Sequence, residues 1–276
     1  MLGSLVIVFP TPHQGGELIL RHLDREWTFD ANALMALRSP PSLAYVAFYS
    51  DIEHEVLKVT SGHRVTLTYN LYSTPSELNP KTTALAVTPD SNAIDKFQTT
   101  LRALLKSPDF LPKGGTLGFG LVHLYPVTFK TELENLVRYL KGEDAHVYRA
   151  CRELQLEPAL RMLYDDSGSG PEFGVLMGEM VEQPDYDYYD YGVSYASHLI
   201  DELGGVSANK ANSNSRTMLE WFDEGDEEGR ITWISPFNGR NQLKDFAMTY
   251  GNEVSVGYIY CSPCLIARVL PASDRA

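Results

Sequence analysis

Apolar and polar residues alternate along most of the first 72 positions, and short turn signals interrupt them. SLVIVF at 4–9 is a compact apolar run rich in β-branched residues. ELILRH at 17–22 follows a Gly15-Gly16 turn, and EWTF at 26–29 comes next. LAYVAFY at 43–49 follows a Pro40-Pro41 break. HEVLKV at 54–59 and RVTLTYNLY at 64–72 both alternate, which predicts two half-buried strands joined by a turn at Ser61-Gly62. Short strands with Gly/Pro punctuation at this spacing predict a sandwich or barrel in preference to βαβ units.

The pattern then changes period. Residues 73–90 read as a Pro/Thr-rich connection. Ile94, Phe97, Leu101, Leu104 and Leu105 share one helical face. TLGFGLVHLY at 116–125 predicts a strand. ELENLVRYL at 132–140 and DAHVYRACREL at 144–154 predict helices, with Gly142 as the C-cap between them. Segments 182–191, 204–216 and 223–230 have the acidic or Gly/Ser/Asn-rich composition of solvated loops, and the tyrosine-rich first could serve as a lid. ITWIS at 231–235, VSVGYIY at 254–260 and CLIARV at 264–269 predict closing strands. The expected class is α+β and β-rich, with one division at 1–75 and another at 76–276.

Composition narrows the partners. The formal net charge of −13 argues against a basic face for nucleic acid or anionic membrane. No run approaches the roughly 20 apolar residues of a membrane-crossing helix. Three cysteines and no basic, apolar leader point to a reducing, intracellular setting, cytoplasmic or nuclear. The substrate, whether protein or small molecule, and the oligomeric state stay open.

Candidate chemistry concentrates in FYSDIEHEVLKVTSGHRVTLTYNLY, residues 48–72. His54 and Arg64 lie ten residues apart across the expected turn, so both can face one barrel mouth. A buried imidazole and guanidinium need partners. A neutral imidazole suits Fe(II) in a two-His-one-carboxylate site, and a guanidinium grips a carboxylate with two parallel bonds. A metal that chelates a dicarboxylic keto acid satisfies both side chains. Arg64 in a structural ion pair is the plainer alternative.

The series His54-Glu55-Val56, Val59, Ser61, Gly62, Arg64, Thr68 and Tyr69 resembles the C-terminal signature of prolyl-4-hydroxylase-type Fe(II)/2-oxoglutarate oxygenases. GSLVIVFPTPHQGGELIL at 3–20 is similar to that family's preceding strand and Gly-Gly turn. HLYP, LKGED and YGNEVSVGYIY in the second half are similar to elements of large fungal members. The resemblance implies a partial double-stranded β-helix (jelly-roll) followed by an α+β region. It implies that His54 is an iron ligand and that Arg64 binds 2-oxoglutarate, with ascorbate a further candidate cofactor. It also implies hydroxylase-type oxidation of an unknown substrate as 2-oxoglutarate is decarboxylated to succinate. The family's His-x-Asp pair belongs before GSLVIVF, so the expectation is a truncated member. The alternative is a catalytically inactive remnant that serves as a binding or scaffold module, with open sheet edges.

Two other patterns carry less. His22-Leu23-Asp24 spells His-x-Asp but follows the Gly-Gly turn, which makes His22 and Asp24 weaker metal candidates than His54. Cys261-Ser262-Pro263-Cys264 lacks the second pair of a four-cysteine zinc site and reads as two ordinary cysteines at a strand turn.

Overall fold

The structure, a computed structural model, describes residues 1–37, 42–72, 91–165, 174–181, 195–208, 231–236, 243–249 and 255–275. The chain forms two compact units, Met1–Thr83 and Ala84–Ala276. The described residues are mixed α and β and strand-rich. No helix among them is long and apolar enough to cross a membrane. The loop segments 182–191 and 223–230, the Pro40-Pro41 break and the 73–90 connection lie outside the described residues.

The first unit contains β1 (Gly3–Val8), β2 (His13–Gly15), β3 (Leu18–His22), β4 (Arg25–Phe29), α1 (Ala31–Ala36), β5 (Ala44–Tyr49), β6 (Glu53–Val56), β7 (Val59–Gly62) and β8 (Thr66–Leu71). These strands make two three-stranded sheets, ordered β5-β1-β8 and β4-β3-β6, and a two-stranded β2-β7 pair. All pairings are antiparallel. The β-branched run of β1 takes the central place in its sheet, as its apolar character on both faces favours. Val8 and Ala44 are buried with Ala31 of α1, and Val6, Phe29 and Met35 pack on them. This cluster brings the β1/β5 face together with α1 and with Phe29 at the end of β4.

Two local details differ from the pattern reading. The six-residue helix α1 is too short to show a 3.6-residue period. It forms on a local signal instead, because the carboxylate of Asp30 accepts the Ala33 N–H at 3.0 Å. The second difference is that residues 54–72 do not form a hairpin. The expected strand at 54–59 breaks at Leu57-Lys58, so that β6 pairs with β3, β7 with β2 and β8 with β1. Ser61 and Gly62 belong to β7 and make no turn there. Gly62 has φ +72°, and a Cβ on it would lie 2.1 Å from the Pro12 carbonyl oxygen. The glycine serves close approach of two backbones, a use that looks the same as a turn in sequence.

The second unit contains α2 (Ser91–Lys106), β9 (Gly115–Gly120), α3 (Leu133–Leu136), α4 (Gly142–Glu153), β10 (Ala159–Asp165), β11 (Val175–Met177), α5 (Tyr195–Asp201), β12 (Val206–Ser207), β13 (Ile231–Ser235), β14 (Leu243–Thr249) and β15 (Ser255–Val269). Its sheet runs β12-β11-β10-β15-β9-β13, with β14 also paired to β15. Only β13 against β9 is parallel among these pairs. Leu117, Met162, Met177, Leu199 and Leu265 are fully buried in the main cluster. The predicted strand at 116–125 ends at Gly120, and 121–125 leaves the sheet. Gly142 opens α4 with φ +39° and does not cap the preceding helix. A short 3-10 turn, Val137–Tyr139, ends that earlier helical stretch.

The two cysteines of the C-x-x-C lie within one continuous strand, β15, and not at a turn between two strands. Their separation of three residues points them to opposite faces. Cys261 accordingly joins the main core and Cys264 a second cluster with Leu163, Leu176, Ala208 and Ile231. They cannot hold one metal ion together. All three cysteines are buried and outside any disulfide, and burial pushes the thiols of Cys151 and Cys264 up to about 12. Thiolate is the reactive form. The native protein should therefore show no fast-reacting thiol towards a disulfide reagent, and three after denaturation. Any rapidly titrating thiol in the native chain would contradict this packing.

Candidate functional site

In the first unit, strand register places the sequence-derived candidates. Leu20 lies opposite His54, and Leu18 opposite both Phe29 and Val56. Residues directly opposite one another on antiparallel strands share a face. His54 therefore stands on the face of its sheet that carries Leu18, Leu20 and Phe29. Its ring lies 5.0 Å from that of Phe48, tilted by 47°. Phe48 shares its face of β5 with Ala44 and Val46. The His54 side chain is nevertheless exposed, because β6 is the edge of its sheet.

The His54 imidazole has one engaged nitrogen. Nδ1 lies 3.2 Å from the Ile52 carbonyl oxygen, which can only accept. In the tautomer with the proton on Nδ1, that bond leaves the Nε2 lone pair open to coordinate. Metal-bound histidines are commonly oriented by such a bond from the other ring nitrogen.

Arg64 lies between β7 and β8. Its stem runs over Gly16, where a Cβ would come 2.7 Å from Arg64 Cδ and 3.0 Å from Val59 Cγ2. Gly16, at φ +79°, thus supplies the space the arginine occupies. The Nε of Arg64 is buried, with no hydrogen-bond partner among the described residues. No carboxylate among the described residues forms an ion pair with it. Burial lowers the guanidinium from its ordinary value. Arg21 on β3 is the opposite case. It bonds Glu26 at 2.8 Å and Glu55 at 3.1 Å on the exposed face, as surface arginines do. A buried guanidinium nitrogen without an acceptor costs stability, so Arg64 is the group in this unit that most requires an anion.

His22 and Asp24 do not act as a pair. His22 ends β3 on the same face as Leu20 and His54, diagonal to the latter by register. Asp24 lies exposed in the two-residue turn to β4, after Leu23 with φ 53°. The carboxylate near His22 is Asp51, with Oδ2 3.7 Å from His22 Nε2 and a side chain only 3% exposed. Periodicity gives no sign of this contact, since Asp51 lies in the β5–β6 connection. His63 is exposed, and Glu53 and Glu55 face solvent beside Arg21.

The second unit holds one buried polar knot that the sequence pattern missed. Asp144 lies in the first turn of α4 and is 4% exposed. Its Oδ1 accepts the Val122 N–H at 2.8 Å, and its Oδ2 accepts the His123 N–H at 3.0 Å and the Tyr125 hydroxyl at 2.8 Å. The Lys141 N–H donates to the Tyr125 hydroxyl oxygen, and Lys141 Nζ donates to the Leu124 carbonyl. Burial raises the Asp144 carboxyl above its ordinary range, and the donors from Val122, His123 and Tyr125 oppose that rise. These bonds fasten the 121–125 segment to α4 after it leaves the sheet. The carboxylate is committed to holding backbone in place and is not a free acid or base.

No protein-family model, curated protein or solved structure matches the chain.

Proposed function

We propose that the first unit carries the cosubstrate side of an Fe(II)/2-oxoglutarate oxygenase site, with Arg64 binding the distal carboxylate of 2-oxoglutarate and His54 serving as one iron ligand. The buried, unpartnered Nε of Arg64 carries this reading. A planar guanidinium with an open nitrogen suits a carboxylate better than water or a backbone carbonyl. Gly16 leaves room for the stem, and His54 Nε2 is free to coordinate. Successive strands alternate between the two three-stranded sheets: β1 in one, β3 and β4 in the other, β5 back, β6 across and β8 back again. A double-stranded β-helix is built by such alternation, which supports the finer fold reading.

The iron, when bound, would couple oxygen activation to decarboxylation of 2-oxoglutarate to succinate. The chain's own part is to fix the keto acid through Arg64, to orient an imidazole through the Ile52 carbonyl, and to keep Phe48 against that ring. A second reading, a binding module without catalysis, has its own support. Among the described residues no group of three metal-ligating side chains includes His54. In that case Arg64 holds a dicarboxylate and no oxidation follows.

Anaerobic absorption spectroscopy of the full chain, titrated with Fe(II) and 2-oxoglutarate, tests the first reading. The expected result is a visible charge-transfer band that His54→Ala removes. A band that survives this substitution removes His54 from the ligand set. No band, with 2-oxoglutarate still bound by equilibrium dialysis, leaves the binding module.

A further inference from the structure

The β5-β1-β8 sheet has a feature that the proposed site does not use. Its three strands together contain no Asp, Glu, Lys or Arg, in a chain of net charge −13. One face of the sheet presents Leu5, Ile7, Tyr45, Ala47, Leu67 and Tyr69 by register. Tyr45 is 71% exposed, Leu67 42% and Tyr69 48%. β8 is an edge strand among the described residues, and five of its six residues are exposed, on both faces of the sheet. Natural sheets protect such edges with charges, proline or a bulge. β8 has none of these. The edge strand β6 does carry protection, since Glu53 and Glu55 would meet like charges in a second copy. β5, the other edge of the uncharged sheet, has α1 packed on it, and its Ala44, Val46 and Phe48 side are buried or half-buried.

We infer that β8 is a self-association edge and that its occupant is β8 of a second copy of this chain, antiparallel about a two-fold axis at Thr68. The hydrogen-bond phase allows this pairing. The Phe9 N–H donates to the Val65 carbonyl, so odd-numbered residues of β8 direct their backbone groups to β1. Thr66, Thr68 and Asn70 therefore direct theirs to the open side. Centring on Thr68 makes it its own hydrogen-bonded partner, and Thr66 exchanges bonds with Asn70 of the other copy. The same register sets Leu67 beside Tyr69 of the second copy on the apolar face, and Thr beside Thr or Asn on the other. Apolar meets apolar, hydroxyl meets hydroxyl, and no charge is buried, the self-complementarity an isologous contact requires. Two three-stranded sheets become one of six strands.

Light scattering behind size exclusion, on the full chain at high micromolar concentration, should give a dimer. Thr68→Pro should give a monomer with unchanged circular dichroism, since that N–H is not used by β1 and proline is tolerated at an edge. Thr68→Cys should cross-link two chains under mild oxidation. The three native cysteines are buried, so a disulfide-linked dimer reports the new thiol. Ala47→Cys, on β5, should not cross-link. A monomeric parent chain, a dimer unaffected by Thr68→Pro, or cross-linking at Ala47→Cys in place of Thr68→Cys overturns the assignment.

Discussion

Arg64→Gln should weaken 2-oxoglutarate binding about 30- to 150-fold in Kd, equivalent to about 2–3 kcal/mol for a lost charge-assisted bond pair. The same substitution should not destabilise the fold. In the free protein Arg64 Nε is buried without an acceptor, so its native environment is already unfavourable. Arg64→Met, which keeps the stem over Gly16 and deletes the buried donor, should leave stability unchanged or raise it by about 1 kcal/mol. A loss of ligand with no loss of stability separates a binding residue from a structural one. Arg64→Lys keeps the charge but loses the planar fork, and should fall between the two in affinity. Isothermal titration with 2-oxoglutarate and thermal melts of the same samples supply both readouts. If Arg64→Gln binds as the parent does, the cosubstrate role is wrong. A large drop in melting temperature for Arg64→Met would instead indicate a structural partner.

The second large effect is expected at Asp144. Replacing it with alanine leaves the Val122 and His123 N–H groups and the Tyr125 hydroxyl without their acceptor in a buried setting. Losing acceptors for three buried donors should cost about 3–5 kcal/mol. Urea unfolding should show a lower midpoint at an unchanged slope. Asp144→Asn keeps one acceptor oxygen and should lose roughly half as much, on the same reasoning. The pH dependence has a definite sign. Burial raises the Asp144 carboxyl, so the folded state takes up a proton more readily than the unfolded chain. Its contribution is fully present below the unfolded value and declines as pH rises through the raised one. The deficit of Asp144→Ala should therefore be larger in mild acid than at neutral pH. A deficit under about 0.5 kcal/mol, the scatter of neutral surface substitutions, would mean that other contacts hold the 121–125 segment.

Strand identity was legible in the residue pattern, because it depends on local period. The strands at 4–9, 17–22, 26–29, 43–49 and 64–72 alternate or run apolar, and the chain forms strands there. ITWIS at 231–235 matches β13 end to end. Parity places His54 on the Leu18/Leu20 face of its sheet, but on an edge strand whose residues are all exposed. The amphipathic stripe from Ile94 to Leu105 lies within α2, again by local period. Periodicity cannot tell which strand pairs with which. Ser61-Gly62 reads as a turn in sequence, yet the backbone of β7 continues through it because Pro12 approaches from β2's side. Nor does the pattern reveal a contact between distant loops. His22 and Asp51 meet only because β3 pairs with β6, the strand that follows Asp51, and Asp144 looks like an ordinary first-turn acid until residues 122–125 fold over it. The sequence by itself determined the β-rich start, the helical middle and the lack of charge in three strands. Tertiary structure decided that Arg64 Nε has no acceptor and that β8 ends its sheet among the described residues, and that the two C-x-x-C thiols face apart. Each of these depends on what lies across a space, and a one-dimensional pattern carries no information about the far side.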